Sequence, residues 1–533
     1  MSGHVWMGLR ASVIGIIIPF ACSAHAESRT PLSVIDWLNK PTPQIALPRA
    51  PSPQSKKPTT VPLDEPAVTE SGTAPKITTS PLATGIAHNV GLVPPAVTGI
   101  KPDLWSGSDA AHIARQIKSL PELDLPAGNA LLFTLLLTEA SPPTGAANAQ
   151  DTLTLARVEK LESLGAVDPA LALIEQAGAQ TSRTLFDVWS QLSMLVGTED
   201  TPCGALSRAP YLTQDAAIKI FCAARGGDWD TAMLTFGSAK ALSLMPREKL
   251  NVLDRFLNPD LFDDARALPT PRKIDPLTFR LFETIGEPLS TSPLPRAYAV
   301  ADLRDVAGWK SQLEAAERLT RVGALPDNHL LGLYTDRKPA ASGGIWDRVR
   351  AVQRFDTALS TGSADAVAKT LPAAWREMKA AQIEVSFATS FQERLEGLEL
   401  KGTSAVIKER MGLLSPAYET VALALKDDLD LGPNTALLRA VAVGEGASDA
   451  PTAAVPRAIH DAFTTPTPNT ELLELAKSER LGEALIATLG SLRDGARGDT
   501  RALREALSTL RALGLEDTAR RAALQILLLE RTP

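Results

Sequence analysis

From about Ser108 to the C-terminus, apolar residues recur three and four positions apart, with Gly, Pro, Asp or Asn at the breaks. That spacing puts one apolar stripe along a helix, whereas a half-buried strand needs strict alternation, and no convincing alternation is present. The pattern predicts helices over residues 108–119, 127–140, 151–164, 169–177, 182–196, 213–225, 229–243, 247–257, 310–322, 346–360, 364–381, 402–411, 469–479, 500–513 and 516–530. Aromatics make up only 5% of the chain while Ala and Leu abound, which favours helix-on-helix packing over sheets. The expected class is all-α.

Helix ends carry their own chemistry. Asp168 before Pro169 reads as an N-cap followed by the one helical position that tolerates proline, and Gly165, Gly227 and Gly514 sit where C-terminal breaks belong. These glycines expose a degenerate repeat. In Gly165-Ala-Val-Asp-Pro-Ala170, Gly227-Asp-Trp-Asp-Thr-Ala232 and Gly514-Leu-Glu-Asp-Thr-Ala519 a helix stops, a few polar residues turn, and Ala enters the next helix. Ile174 and Ala177 continue the first case, Phe236 and Ala239 the second. The spacing resembles the second half of a tetratricopeptide repeat, where small alanines let paired helices approach and the larger residue fills the groove between them. The glycines are 62 and then 287 residues apart, so no constant period survives. An irregular tetratricopeptide-like helix-hairpin solenoid is the expected architecture.

The first 107 residues are different material. Met1–Ala26 reads as a cleavable secretory signal peptide: Arg10 precedes the apolar run Ala11–Phe20, and Ala24-His25-Ala26 supplies small residues for cleavage between Ala26 and Glu27. The run is too short to anchor the chain in a bilayer, and Pro19-Phe20-Ala21 before Cys22 lacks the pattern a lipidation site expects. Residues 27–107 form a Pro/Thr/Ser-rich arm, with 14 of the chain's 40 prolines between 27 and 102, and such a segment cannot bury enough apolar surface to offset its ordering entropy. A short island at 31–38 brings Val34, Ile35, Trp37 and Leu38 together in one turn, a candidate for docking on a partner or on the parent body.

Loss of Cys22 with the signal leaves Cys203 and Cys222 in an oxidising compartment. They read as a disulfide or as two buried thiols; Cys222 lies about one turn beyond the position that mirrors Cys203 across the turn at Pro210, so spacing leaves both open. Seven prolines between Pro259 and Pro295 interrupt the helical pattern, which divides the body at about residue 275 into an N-terminal helical repeat domain, 108–275, and a C-terminal helical domain, 276–533.

Familiar catalytic chemistry is missing from this pattern. His88, His112, His329 and His460 are too dispersed for a zinc spacing, and no nucleophile elbow or phosphate loop occurs. No cofactor is expected. The formal charge of −7 becomes −8 once Arg10 leaves, which argues against nucleic-acid partners, and no later segment reaches the length of an integral membrane span. One stretch stands apart: Tyr334, Arg337, Lys338, Trp346 and Arg348 surround a Gly343-Gly344 joint, forming a local positive island suited to a carboxylate or phosphate. The same stretch also reads as an ordinary inter-helix loop, with Trp346 in the core and its cations paired with Asp336 and Asp347.

Pro31–Leu38, Gly91–Gly99 and the Tyr334–Arg348 loop resemble stretches shared by a group of alphaproteobacterial exported proteins of unknown role, sometimes labelled antifreeze glycopeptide-like. The resemblance implies export and a helical body and brings no activity. The label itself finds no footing, since the Ala-Ala-Thr triplet does not occur. The expected function is a non-catalytic periplasmic scaffold or adaptor that binds an envelope protein through Ile35, Trp37, Leu38, Tyr334, Arg337, Lys338, Trp346 and Arg348. The alternatives are a peptidoglycan-related enzyme with a dispersed site and a periplasmic accessory of the flagellar motor.

Overall fold

A computed structural model of the chain describes residues 89–145 and 148–529. Within them the chain forms 25 α-helices, and the only β geometry among the described residues is three isolated bridges, Val90 with Ala140, Val93 with Thr138 and Asp109 with Thr144. The signal segment with Ala26 and Glu27, and the arm residues Ile35, Trp37 and Leu38, lie outside the described residues.

The chain advances as neighbouring helices laid against one another. A short α1 (Pro95–Thr98) leads into α2 (Ala110–Ser119), α3 (Pro126–Leu137), α4 (Ala149–Ser163) and α5 (Val167–Gln176). Then come α6 (Arg183–Val196), α7 (Asp200–Arg208), α8 (Ala216–Arg225), α9 (Trp229–Ala241) and α10 (Arg247–Leu257), each packed on its predecessor. The proline-rich stretch holds α11 (Pro276–Thr284) and α12 (Ala299–Asp302), both of which reach back to α6 across residue 275. Next are α13 (Trp309–Thr320), α14 (Asp327–Asp336), α15 (Ile345–Ser360), α16 (Ala364–Ala381), α17 (Glu384–Leu395), α18 (Thr403–Leu414) and α19 (Tyr418–Ala424). The last are α20 (Thr435–Ala442), α21 (Ala454–Thr464), α22 (Thr470–Lys477), α23 (Leu481–Ala496), α24 (Thr500–Ala512) and α25 (Glu516–Leu528).

The end of this walk meets its beginning. Helix α23 packs on α2 and α3, and α25 packs on α3 and α18. Backbone bonds reinforce the closure: Gly107 N donates to Glu479 O at 2.9 Å, and Gly482 N donates to Leu104 O at 2.9 Å. Trp105 is fully buried against Gly482, where a Cβ would lie 2.0 Å from the indole, so only glycine fits. A single apolar cluster consequently runs from Val90 to Leu529, so the described end of the expected arm 27–107 is corrected: Val90, Val93, Ile100, Leu104 and Trp105 are buried in the body.

Local chemistry explains the helix boundaries. Asp109, Asp215, Asp228 and Asp275 each accept a bond from a first-turn N–H, at 2.8 Å from His112, 2.7 Å from Ala217, 3.1 Å from Thr231 and 2.7 Å from Thr278. Gly165, Gly227 and Gly514 adopt left-handed φ of 81°, 82° and 83°, and the alanines five positions on, Ala170, Ala232 and Ala519, are fully buried. Asp168 is corrected as an N-cap. Helix α5 starts at Val167 with Ala166 at the cap, because Leu161 O and Glu162 O hold the preceding turn, and Asp168 falls inside the first turn.

One buried cation and one partly buried ion-pair cluster fix elements that lie far apart in sequence. The Arg157 guanidinium, fully buried in α4, donates to Val90 O at 2.9 Å, Leu136 O at 2.7 Å and Thr138 O at 2.9 Å, clamping the entering chain to the end of α3. Arg280 of α11 donates to Glu199 Oε1 through Nε at 3.0 Å and Nη2 at 2.8 Å, and Glu199 is fully buried between α6 and α7. Arg280 also pairs with Glu283, which Arg304 holds from its other oxygen.

Candidate protein-docking surface

The Tyr334–Arg348 stretch separates into an inner and an outer part. Tyr334 belongs to α14 and is 2% exposed, its hydroxyl donating to Glu317 Oε1 at 2.7 Å. Arg348 reaches the same carboxylate from α15, 2.5 Å from both oxygens. Burial and the neighbouring Glu317 charge push the Tyr334 phenol well above its ordinary range; at Arg348 burial is the largest single influence, but the charges and hydrogen bonds of Glu317 and Tyr334 together outweigh it and raise the pKa. Trp346 is half-buried and packs on Trp309, with ring centroids 5.2 Å apart. Of the residues expected to meet a partner, these three join α13, α14 and α15 to one another.

The remaining cations sit on the surface. Arg337 is exposed and pairs with Asp336 at 2.8 Å, and Lys338 is exposed beside it. Arg350 takes up Asp347. Gly343 and Gly344, with φ of 93° and 54°, make the turn that admits α15. The positive island thus reduces to two exposed side chains, one of them already neutralised by its neighbour.

Cys203 of α7 and Cys222 of α8 form a disulfide, with Cα atoms 4.8 Å apart. Both residues are buried. The bridge ties α7 to α8, the helix on which α9 packs.

Helix α9 carries the most unusual surface. Its inner positions Ala232, Phe236 and Ala239 recur at four and three, and they are buried in the core. Part of its outer face is apolar as well. Trp229, Met233 and Leu234 are exposed, followed by Leu242 and Leu244 in the connection to α10 and Leu261 just after α10. Leu234 and Leu261 are 75% and 77% exposed. The indole of Trp229 lies 6.4 Å from the Phe256 ring near the end of α10, so the hairpin runs antiparallel and Trp229 and Leu261 share one end. Leu242 and Leu244 mark the other end, about 20 Å away for a helix of this length.

Charge frames the strip. Asp228, Asp230, Asp260, Asp263 and Asp264 are exposed around the Trp229–Leu261 end. Scattered exposed apolar residues are ordinary, but six fall within residues 229–261, on one helical hairpin and its flanks, and apolar surface gathered on one element is of the kind that marks interaction sites. The sequence carried one hint of it, since α9 has apolar residues on opposite faces where a helix covered on one side needs only one stripe.

Among the described residues, no group of three or more His, Cys, Asp and Glu side chains is placed to hold a metal, and no helix is long and apolar enough to cross a membrane. No family model, no curated protein and no solved structure matches this chain.

Proposed function

We propose that the body is an irregular tetratricopeptide-like solenoid serving as a non-catalytic scaffold that binds a protein of the cell envelope along α9 and α10. The exposed strip from Trp229 to Leu261 carries this reading, because burying it in a partner would remove apolar surface that the fold leaves in water. Trp229 is the expected anchor, a large half-exposed aromatic at the centre of the acidic rim. The matching partner is an apolar segment flanked by Lys or Arg, whose charges complement Asp228, Asp230, Asp260, Asp263 and Asp264. Export by a cleaved signal peptide places the encounter in the periplasm, a compartment in which the Cys203–Cys222 bridge persists.

A photo-reactive amino acid at position 234, activated in intact cells, tests the proposal. The expected adduct joins the chain to a different envelope protein and fades when Trp229 is replaced by Asp. Adducts that map to residues 27–40 of the same chain, to a second copy, or to nothing would overturn it.

A further inference from the structure

The outer face of α9 holds a glycine that the fold does not use. Gly412, Gly482 and Gly495 are explained by Val421, Trp105 and Leu503 pressed against them, but a Cβ on Gly237 would meet no atom within 4 Å. Glycine in a helix interior weakens the helix relative to alanine, so Gly237 destabilises α9 without serving any contact within the body. Among the described residues, Gly332 of α14 is the other helix-interior glycine with open space around it. Their surroundings differ. Gly237 lies three positions after Leu234 and four before Ala241, all three exposed and on the face opposite the buried Ala232, Phe236 and Ala239. Gly332 has the exposed polar residues Asn328 and Thr335 one turn to either side.

Charge reverses along the same hairpin. The Trp229–Leu261 end carries the exposed Asp228, Asp230, Asp260, Asp263 and Asp264. At the Leu242–Leu244 end, Arg247 is exposed in the first turn of α10. Arg272 N donates to Glu248 Oε2 at 3.3 Å, which brings the exposed Arg272 and Lys273 to that turn as well. These three cations stand against Glu248, the single carboxylate of the turn.

We propose that the partner segment is an amphipathic α-helix of about 14 residues laid along α9, its backbone nearest at Gly237, its Lys or Arg end over Trp229 and its Asp or Glu end over Leu244. This rests on the α9–α10 docking reading and gives the partner its form. The backbone N–H and C=O groups in the middle of α9 are bonded within the helix, so α9 offers an incoming strand nothing to pair with. A segment buried against it must satisfy its own backbone, as a helix does. The roughly 20 Å between the two ends of the hairpin sets the length, at about 1.5 Å per residue. The missing side chain at Gly237 lets the two helix axes approach, and Leu234 enters the groove of the partner.

A photo-reactive amino acid at position 234 and, separately, at position 241, activated in intact cells, tests this by where the adducts fall on the partner. The two positions are seven residues apart on α9, so a docked helix is captured at residues about seven apart and an extended chain at residues about three apart. The residue captured from 234 should lie nearer the partner's Lys or Arg end. Gly237→Leu should cut the adduct yield from 234 at least tenfold while leaving the melting temperature unchanged or raised, since it fills open space and favours the helix. Gly332→Leu, the control, should leave the yield as it is. Capture sites about three apart, a reversed charge order, or a yield that Gly237→Leu leaves intact or raises overturns the docked helix while the α9–α10 surface stands, because added apolar area strengthens a docking that needs no close approach. The absence of any adduct to a different envelope protein overturns both.

Discussion

The hydroxyl of Tyr334 and the carboxylate of Glu317, 17 residues apart in sequence, meet at 2.7 Å inside the body, on a carboxylate that Arg348 also holds. The contact makes one end of the Gly343-Gly344 loop part of the fold. Tyr334→Phe removes a buried bond to a charged acceptor and should cost about 2 kcal/mol in denaturant unfolding. Arg337→Ala and Lys338→Ala, on exposed positions, should each stay within about 0.5 kcal/mol of the parent. Equal losses at all three positions would contradict the division into inner and outer parts.

How much of this was legible beforehand depends on whether a residue's partner lay near it in sequence. Helices 247–257 and 364–381 start and stop where the apolar period predicts, because caps and breaks are local. Helix α23 was not visible. Leu485, Ile486, Leu489 and Leu492 are buried together with Gly482, Ala484, Thr488 and Gly495, so no polar face marks its period. Gly482 and Gly495 are glycines because Trp105 and Leu503 stand where side chains would go. Helix α11 hid behind its own start signal, since Asp275 caps it and Pro276 opens it inside a stretch that otherwise reads as breaks. The role of Tyr334 was hidden for another reason: Glu317 sits on a different helix, and nothing near Tyr334 announces it. For α9, the period gives the helix but cannot say which apolar face lacks a neighbour.

The Cys203–Cys222 bridge spans 19 positions of chain, and closing such a loop restricts the unfolded ensemble by roughly 3 kcal/mol. Cys203→Ala/Cys222→Ala should therefore unfold at lower denaturant concentration by that amount. Reductant should shift the parent toward the double variant and leave the variant unmoved. Two alkylatable thiols in the native, unreduced protein would remove the basis for the comparison.

Arg157 is an unusual staple, a fully buried cation whose guanidinium donates to three backbone carbonyls, and burial pushes its pKa down to about 9. Arg157→Leu strands those three acceptors and should cost about 3 kcal/mol or more. The loss should be local before it is global. Amide exchange of Leu92 and Val93, whose N–H groups donate to Leu137 O, should accelerate in the variant while that of α24 holds. Uniform acceleration would show that Arg157 supports the whole body.

Glu283 gives the pH dependence its sign. Burial would raise its pKa, but bonds and charge from Arg304 and Arg280 outweigh that and hold it below the ordinary range. Its native state therefore binds fewer protons than the unfolded chain through this window. The contribution is fully present above the unfolded pKa and is lost as pH falls through the folded one. Glu283→Gln should melt below the parent at pH 7, and the gap should close below about pH 4. A gap that stays constant down to acid unfolding would mean that packing, not charge, sets the effect.

The strip on α9 and α10 makes a prediction that needs no knowledge of the partner. Leu234 and Leu244 are 75% and 59% exposed, so replacing both by Asp removes little buried contact and should leave stability within about 0.5 kcal/mol per site. The same change breaks a patch that runs along the hairpin, so retention on a hydrophobic column and binding of an apolar fluorescent dye should both fall. Val306→Asp serves as the control, because Val306 is 79% exposed but lies outside residues 229–261. Its effect on retention should be small, as one isolated side chain contributes only its own area. If Val306→Asp lowers retention as much as the Leu234→Asp/Leu244→Asp pair, the α9–α10 residues are exposed singly rather than as one surface, and the docking site loses its support.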